Sequence, residues 1–451
     1  MGKIGVIPLD DRPVCLDQVC LLAKAYGLDL ISPPIEWLGH KHSAGHADRI
    51  GAWFVENFDQ AETWIISLDM LCYGGLVASR RLDNPIDRVT SRLHLLQTAK
   101  QRTPHIPILA WQSVRRLSDT VTCSADLEKW AYQHQHATFD DRRARNHLVN
   151  LDVLNLVKEG TIEALSLLQE DCQPDGPHVE EHRLLIKRIE SLGIEEKVTV
   201  TPGSDEGSAV LLARFYREFR RLSASVGICF SSQSGSERVA LFEDRSIRKV
   251  VQGQCRAAGI TGSEDLRKSD YLLMVWCPDA PTADLMMSEP VAIGEHGVTE
   301  FIQECKNYLA MGKQLSIADV RYANGGDPQL CDALTAAGLW LKLSGYSAWN
   351  TASNAIGFAI AQILLPPGNP VIAHRIIEDW AYQSVVRLRL SSYVSQTLQD
   401  DIWAISDTQL PKATRELNRL MQGWIEKKKA VNLHTMPVFR LPWDRTFEVC
   451  F

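Results

Sequence analysis

The chain has 451 residues, with 48 Lys+Arg against 55 Asp+Glu and a formal charge of −7. Hydrophobic residues make up 45% and charged residues 23%, the balance of an ordinary globular protein, which excludes bulk disorder. The mild, well-mixed acidity speaks against a dedicated nucleic-acid binder, whose footprint would be basic. The length predicts two or three domains, or one large α/β barrel with an appendage.

The opening MGKIGVIPLDDRPVC does not read as a secretory signal, because its apolar run is short and Asp10-Asp11-Arg12 interrupts it. No uninterrupted apolar stretch of about 18 residues occurs anywhere, so no membrane span is expected. Cysteines are scattered singly with no CxxC, and several sit inside apolar runs such as VGICF and LLMVWC. That is the pattern of buried free thiols in a reducing compartment, so a cytoplasmic protein without a clustered zinc site is expected.

In chain order, strands are predicted at KIGVIPL, LDLIS, TWIISL, IPILAW, ALSLLQ, KVTVT, SVGICF, DYLLMVW, QLSIADV and LWLKLSG. They are short, bounded by Pro, Gly or Asp, and mostly lack polar alternation, as suits parallel strands buried on both faces. Helical patterns lie between them, including NPIDRVTSRLHLLQTAKQR and DGPHVEEHRLLIKRIESLG, the second closing on Gly193. Alternating strands and helices predict a (β/α)8-type barrel over residues 1–368, with a helical insertion near 123–160 covering one end. Two doubly wound α/β domains are the alternative. After the Pro-Pro-Gly at Pro366–Gly368 the pattern turns helical, predicting a C-terminal helical subdomain over 369–451.

Polar residues gather just after the strands. These are Asp10 and Arg12; Asp69 and Tyr73; Trp111, Gln112, Arg115 and Arg116; Gln169, Glu170 and Asp171; Asp205 and Glu206. Later in the chain come Ser231 to Ser234, Asp279, Asp319 to Asp327, and Tyr346, Trp349 and Asn350. In parallel α/β folds, ligands bind at the carboxyl ends of the strands, so this distribution predicts an enzyme or a small-ligand binder. The sharpest element is TPGSDEGSA. Its adjacent Asp205 and Glu206 suit glycoside hydrolysis assisted by the substrate's own 2-acetamido group. The competing reading is an N-cap with acids in the first helical turn. Trp111, Trp349, Tyr73 and Tyr346 could stack on a sugar or simply seal the fold, and Asn350 could hold a substrate amide or cap the following helix. No nucleotide fingerprint is present. His40, His42 and His46 could join Asp10 and Asp69 around a metal, though nothing in their spacing defines a ligand set.

Together PLDDRPV, LDMLCYGGLVASRR, LLQEDCQPDG, TPGSDEG, IADVRYANGGD and GYSAWNTASNAIG resemble domain-of-unknown-function family 4127, a mainly bacterial family, over residues 8 to 357. That family's pattern has two Asp after the Gln of LLQ, where this chain has Glu170 and then Asp171. Separately, the Asp205-Glu206 pair is similar to the catalytic pair of barrel-fold β-N-acetylhexosaminidases and β-N-acetylgalactosaminidases. That resemblance implies Asp205 as the stabiliser of the acetamido nitrogen and Glu206 as acid/base. It also implies a tyrosine on the acetamido carbonyl, for which Tyr346 and Tyr73 are candidates.

The expected function is therefore a cofactor-free glycosidase removing β-linked N-acetylhexosamine, with N-acetylgalactosamine favoured. Asp205 and Glu206 are its expected catalytic pair. Asp10, Arg12, Asp69, Tyr73, Trp111, Gln169, Asp171, Asp319, Tyr346, Trp349 and Asn350 are its expected substrate contacts. The competitors are a metal-dependent hydrolase or lyase on a small polar substrate and a non-catalytic sugar-binding protein. The expected partner is a carbohydrate bearing a 2-acetamido sugar, with neither nucleic acid nor membrane, and oligomeric state is open.

Overall fold

The structure is a computed structural model, and it describes residues 2–136, 140–222, 225–263, 265–431 and 435–451. Contacts divide the chain into two units. The first comprises Met1–Thr120, Glu128–Arg221 and Arg256–Ala258; the second comprises Val121–Leu127, Leu222–Cys255 and Gly259–Phe451.

The first unit holds β1 (Lys3–Ile7), β2 (Asp29–Ile31), β3 (Thr63–Ser67), β4 (Ile108–Val114), β5 (Ala164–Gln169) and β6 (Val198–Pro202). They form one parallel sheet in the order β2-β1-β3-β4-β5-β6. β3, β4 and β5 are buried along their whole length, which is why their sequences read as continuous apolar runs. Helices Ala47–Asn57, Ile86–Arg102, Asp141–Lys158 and Pro177–Leu192 turn apolar stripes onto a core that includes Ile66, Ala110, Leu167, Val149, Val153 and Leu185. Gly193 ends the last of these in the left-handed conformation (φ 64°), as its sequence predicts.

The second unit holds β7 (Ser225–Phe230), β8 (Thr261–Ser263), β9 (Tyr271–Trp276), β10 (Gln314–Asp319) and β11 (Gly345–Ser347). Its parallel sheet has the order β11-β10-β9-β7-β8. Read from the other edge, β8-β7-β9-β10-β11 repeats the order of the first five strands of the first unit, the doubly wound 2-1-3-4-5 arrangement.

The expected single barrel is thus replaced by two open sheets. A barrel would pair its first and last strands, whereas each sheet here ends on two different edge strands, β2 and β6 or β11 and β8. Barrels and doubly wound sheets share the same strand–helix alternation, so the periodicity could not separate them. The helices after Asn369 share a core with the second sheet: Ile376, Trp380, Leu417 and Trp424 cluster with Met274, Trp276 and Ile317. They belong to the second unit, and the division of the chain falls near Arg221, not at residue 368. The expected insertion near 123–160 is mostly helix Asp141–Lys158, which packs against β4 and β5 as the connection between them; residues 137–139 lie outside the described residues. LWLKLSG forms a short turn of helix, Trp340–Lys342, followed by β11, and β8 has no apolar run to announce it. Among the described residues no cysteine is in a disulfide. Among the described residues no helix is long and apolar enough to cross a membrane.

Candidate functional site at the ends of the first sheet

In a 2-1-3-4-5 sheet the winding reverses between the first and third strands, and ligands bind outside their carboxyl ends. In the first unit that crevice is flanked by Asp10 and Arg12 after β1 and by Asp69 after β3. All three are buried. The Arg12 Nε donates to both Asp10 oxygens, at 2.9 and 3.0 Å. Its two Nη atoms donate to the two oxygens of Asp205, at 2.7 and 3.3 Å. Asp205 follows the edge strand β6, so the turn after β6 must run back over the strand ends to meet Arg12. A glycine makes that path passable: a Cβ at Gly207 would stand 2.5 Å from the Trp111 ring of β4. The Trp111 Nε1 donates to Ser208 Oγ at 3.1 Å, pinning the start of helix Gly207–Phe219. Glu206 precedes this helix with no exposed surface, and its Oε2 accepts the Ser204 amide at 2.9 Å.

A second set of groups surrounds the end of β4. Asp69 sits in the short helix Leu68–Tyr73, where its Oδ2 accepts the Ser113 amide at 2.8 Å and extends the ladder past the end of β3. Burial pushes the Asp69 carboxyl up to about 6, against the pull of Ser113 and Arg80 toward the charged form. Arg80 forms a buried ion pair with Glu170. Burial first, and then the neighbouring Arg116, draws Arg80 well below its ordinary range, while Asp171 opposes the shift. The Arg116 Nη1 donates to Asp171 Oδ2 at 2.8 Å. Behind them, the buried Arg143 pairs with Glu181 at 2.5 Å and donates to the carbonyls of Arg115 and Arg116, fixing the chain that leaves β4. Burial pushes Glu181 up to about 7 despite that pair.

Several polar atoms in this region find no partner within the protein: both amide atoms of Gln112, Asn150 Oδ1, Glu170 Oε2, Thr201 Oγ1, Ser204 Oγ and Ser67 Oγ. Buried polar groups are nearly always paired, so each such atom marks a place where water or a ligand completes the bonding.

The end of the second sheet is arranged differently. Asp319 Oδ2 accepts the Asp327 amide at 2.6 Å and the Tyr346 hydroxyl at 3.1 Å. Asp327 in turn accepts from Arg321 Nη1 at 2.8 Å and from Trp276 Nε1 at 2.9 Å, and its other oxygen caps helix Pro328–Ala336 through the Gln329 amide. Burial, and then the adjacent Asp327 charge, pushes Asp319 up to about 8. Asp379, in the π-helical stretch Ile376–Val386, takes the Ala348 amide and the Ser347 hydroxyl and so fastens the end of β11. Gly326 admits the Tyr346 hydroxyl, which would stand 2.2 Å from a Cβ there.

The expected site residues therefore divide between two sheets. Asp10, Arg12, Asp69, Tyr73, Trp111, Gln169, Asp171, Asp205 and Glu206 belong to the first; Asp319, Tyr346, Trp349 and Asn350 belong to the second. Several of them are engaged internally. The Trp111 ring lies against Gly207, Tyr73 is enclosed with the Arg145 guanidinium over its ring, and Gln169 Oε1 meets His182 Nδ1 at 3.2 Å. Tyr346 is spent on Asp319 and Cys331, and Trp349 packs edge-on to Phe447. Asn350 is not the cap of the helix after β11. That role falls to Thr351, in a capping box with Asn354, while Asn350 stands at φ 55° and its carbonyl accepts the Asn324 amide. His40 pairs with Asp11 at 2.6 Å. Among the described residues His40, His42, His46, Asp10 and Asp69 do not converge into a metal-ligating group. Sequence reasoning passed over Arg80 and Asn150. Asn150 had a signal: it is a polar residue in the apolar stripe of Val149, Val153 and Leu154.

Comparison with known proteins adds the family but no chemistry. No curated protein matches the chain significantly. Among solved structures, a C2-type ketoreductase from a modular polyketide synthase is 12% identical. That match covers 80% of this chain and 76% of the other at a TM-score of 0.23, a superposition too poor to support an argument. The family model described as "Protein of unknown function (DUF4127)" matches residues 4–136 and 133–451, and the chain belongs to that family.

Proposed function

We propose that the carboxyl end of the first sheet is the active site of a glycoside hydrolase acting on β-linked N-acetylhexosamine, with N-acetylgalactosamine favoured. The observation that carries the reading is the enclosed Asp205-Glu206 pair, with Asp205 gripped by both Nη atoms of Arg12 across the strand ends. A carboxylate has about four acceptor positions, so holding Arg12 leaves Asp205 able to receive a substrate N–H as well. In this reading the acetamido oxygen attacks the anomeric carbon as the glycosidic bond breaks. Glu206 gives its proton to the departing oxygen, and Asp205 receives the acetamido N–H as positive charge grows there. Water then attacks the anomeric carbon and opens the cyclic intermediate, giving its own proton to Glu206 and restoring the acetamido group.

One observation favours a second assignment of the acid. Asp69, pushed up to about 6 by burial, keeps its proton closer to neutral pH than an ordinary carboxyl does, as a general acid requires. Hydrolysis of nitrophenyl β-N-acetylgalactosaminide and β-N-acetylglucosaminide by wild type, Glu206→Gln and Asp69→Asn separates the two. Glu206 as the acid predicts loss of turnover in Glu206→Gln, with partial retention on leaving groups that need no proton. Asp69 as the acid predicts that wild-type turnover declines above about pH 6 and that Asp69→Asn, not Glu206→Gln, loses turnover. Wild-type silence on both substrates, with measurable sugar binding, would replace the hydrolase by a sugar-binding protein.

A further inference from the structure

Gln112 is fully buried in β4, yet neither its Oε1 nor its Nε2 has a partner within the protein. Alternation along the strand puts it on the opposite face from Trp111 and Ser113, the face that carries Ala110 and is covered by helix Asp141–Lys158. From that helix Asn150 reaches down to the same strand, its Nδ2 lying 3.5 Å from the Ser113 carbonyl, while its Oδ1 also lacks a partner. Ser113 is the residue whose amide Asp69 accepts. Two residues along from Gln112, the Val114 carbonyl accepts the Glu170 amide, and Glu170 Oε2 and Arg80 Nε are again without partners. Unmatched donors and acceptors thus alternate around one strand end. A dry interior would not tolerate them, because each buried unpaired group forfeits its hydration.

An apolar residue of the same shape at position 112 would fill the space at lower cost. A carboxamide earns its place there only if something completes both of its atoms. Its N–H and C=O stand side by side, a fork that matches two adjacent hydroxyls, one accepting from Nε2 and the other donating to Oε1. We infer that Gln112, with Asn150 reaching the next residue of the same strand, recognises a vicinal diol of the substrate's sugar ring. This inference rests on the glycoside reading for the identity of the ligand and adds to it the residue that reads the ring hydroxyls.

The test is titration calorimetry of the full chain with N-acetylgalactosamine and with its deoxy analogue missing one hydroxyl of the ring diol. The expected result is that wild type binds the parent sugar about 10-fold or more tighter than the analogue. Gln112→Met, of similar shape, should bind both at the analogue's level. Circular dichroism checks that the variant folds; if it does not, Gln112→Glu, which keeps the shape and loses the N–H donors, carries the same comparison. Equal wild-type affinity for the two sugars, no wild-type binding of either, or a preference surviving in the variant would each overturn the inference. Failure here is distinguishable from failure of the hydrolase reading. Turnover of nitrophenyl glycosides with no diol preference breaks this inference alone, and diol preference without turnover breaks only the hydrolase.

Discussion

The two sheets share a strand order but differ in what their carboxyl ends do with buried charge. In the second unit, Asp319, Arg321, Asp327, Tyr346 and Asp379 close on one another and on backbone amides, and the loops are held by them. In the first, Arg12, Arg80, Arg116 and Arg143 are also in ion pairs, but Gln112, Asn150, Glu170, Thr201 and Ser204 keep atoms without partners; the second unit has such atoms too, Arg321 Nε, Ser344 Oγ and Trp380 Nε1 among them. Satisfied networks rigidify a fold, and unsatisfied ones call for something more to bind. What sets the first sheet's end apart is Gln112, a fully buried carboxamide with neither atom partnered beside the strand-end acids, and that end is the candidate site.

If that contrast holds, substitutions at the first sheet should act on turnover and those at the second on stability. The largest effect is expected from Glu206→Gln, which should lower turnover of an N-acetylhexosaminide by about 10²–10⁴-fold, as loss of a general acid does; steady-state kinetics measures it. Next comes Arg321→Ala, which strands the buried Asp327 carboxylate. A loss of about 3–5 kcal/mol in urea unfolding is expected for breaking a buried pair from one side.

Asp319 gives a pH signature. The folded chain keeps its proton up to about 8, whereas the unfolded chain releases it near the ordinary value of 3.8. Between these values the folded state binds more protons, so this group's contribution is fully present below about pH 4 and is lost as pH rises toward 8. Asp319→Asn removes the dependence. The difference in melting temperature between variant and wild type should shift in the variant's favour from pH 5 to pH 8, and a difference that stays constant would show that Asp319 ionises normally. The smallest effect is expected from Thr351→Ala, which removes one half of the capping box on helix Ala352–Gln362; about 1 kcal/mol of stability should go, read by thermal melting.

Much of this was legible in the chain. Continuous apolar runs such as TWIIS and YLLMVW announced strands buried on both faces, Gly193 announced a helix end, and the placement of Asp10, Asp69, Asp171 and Asp205 after strands announced polar groups that lie at the ends of one sheet. Those features are local: burial of a strand, the backbone freedom of a glycine, and polarity at a strand end each leave a mark within a few residues. What the sequence could not choose was the closure of the sheet, because strand–helix alternation is common to a barrel and to doubly wound units. It could not show that Tyr346 and Trp349 serve a different sheet from Asp205, since pairing order is a long-range property. Nor could it show that Arg12, after β1, would grip Asp205, after the edge strand β6. That contact exists because Gly207 lets the turn lie on Trp111 and run back across the strand ends, an arrangement set by packing between segments nearly two hundred residues apart.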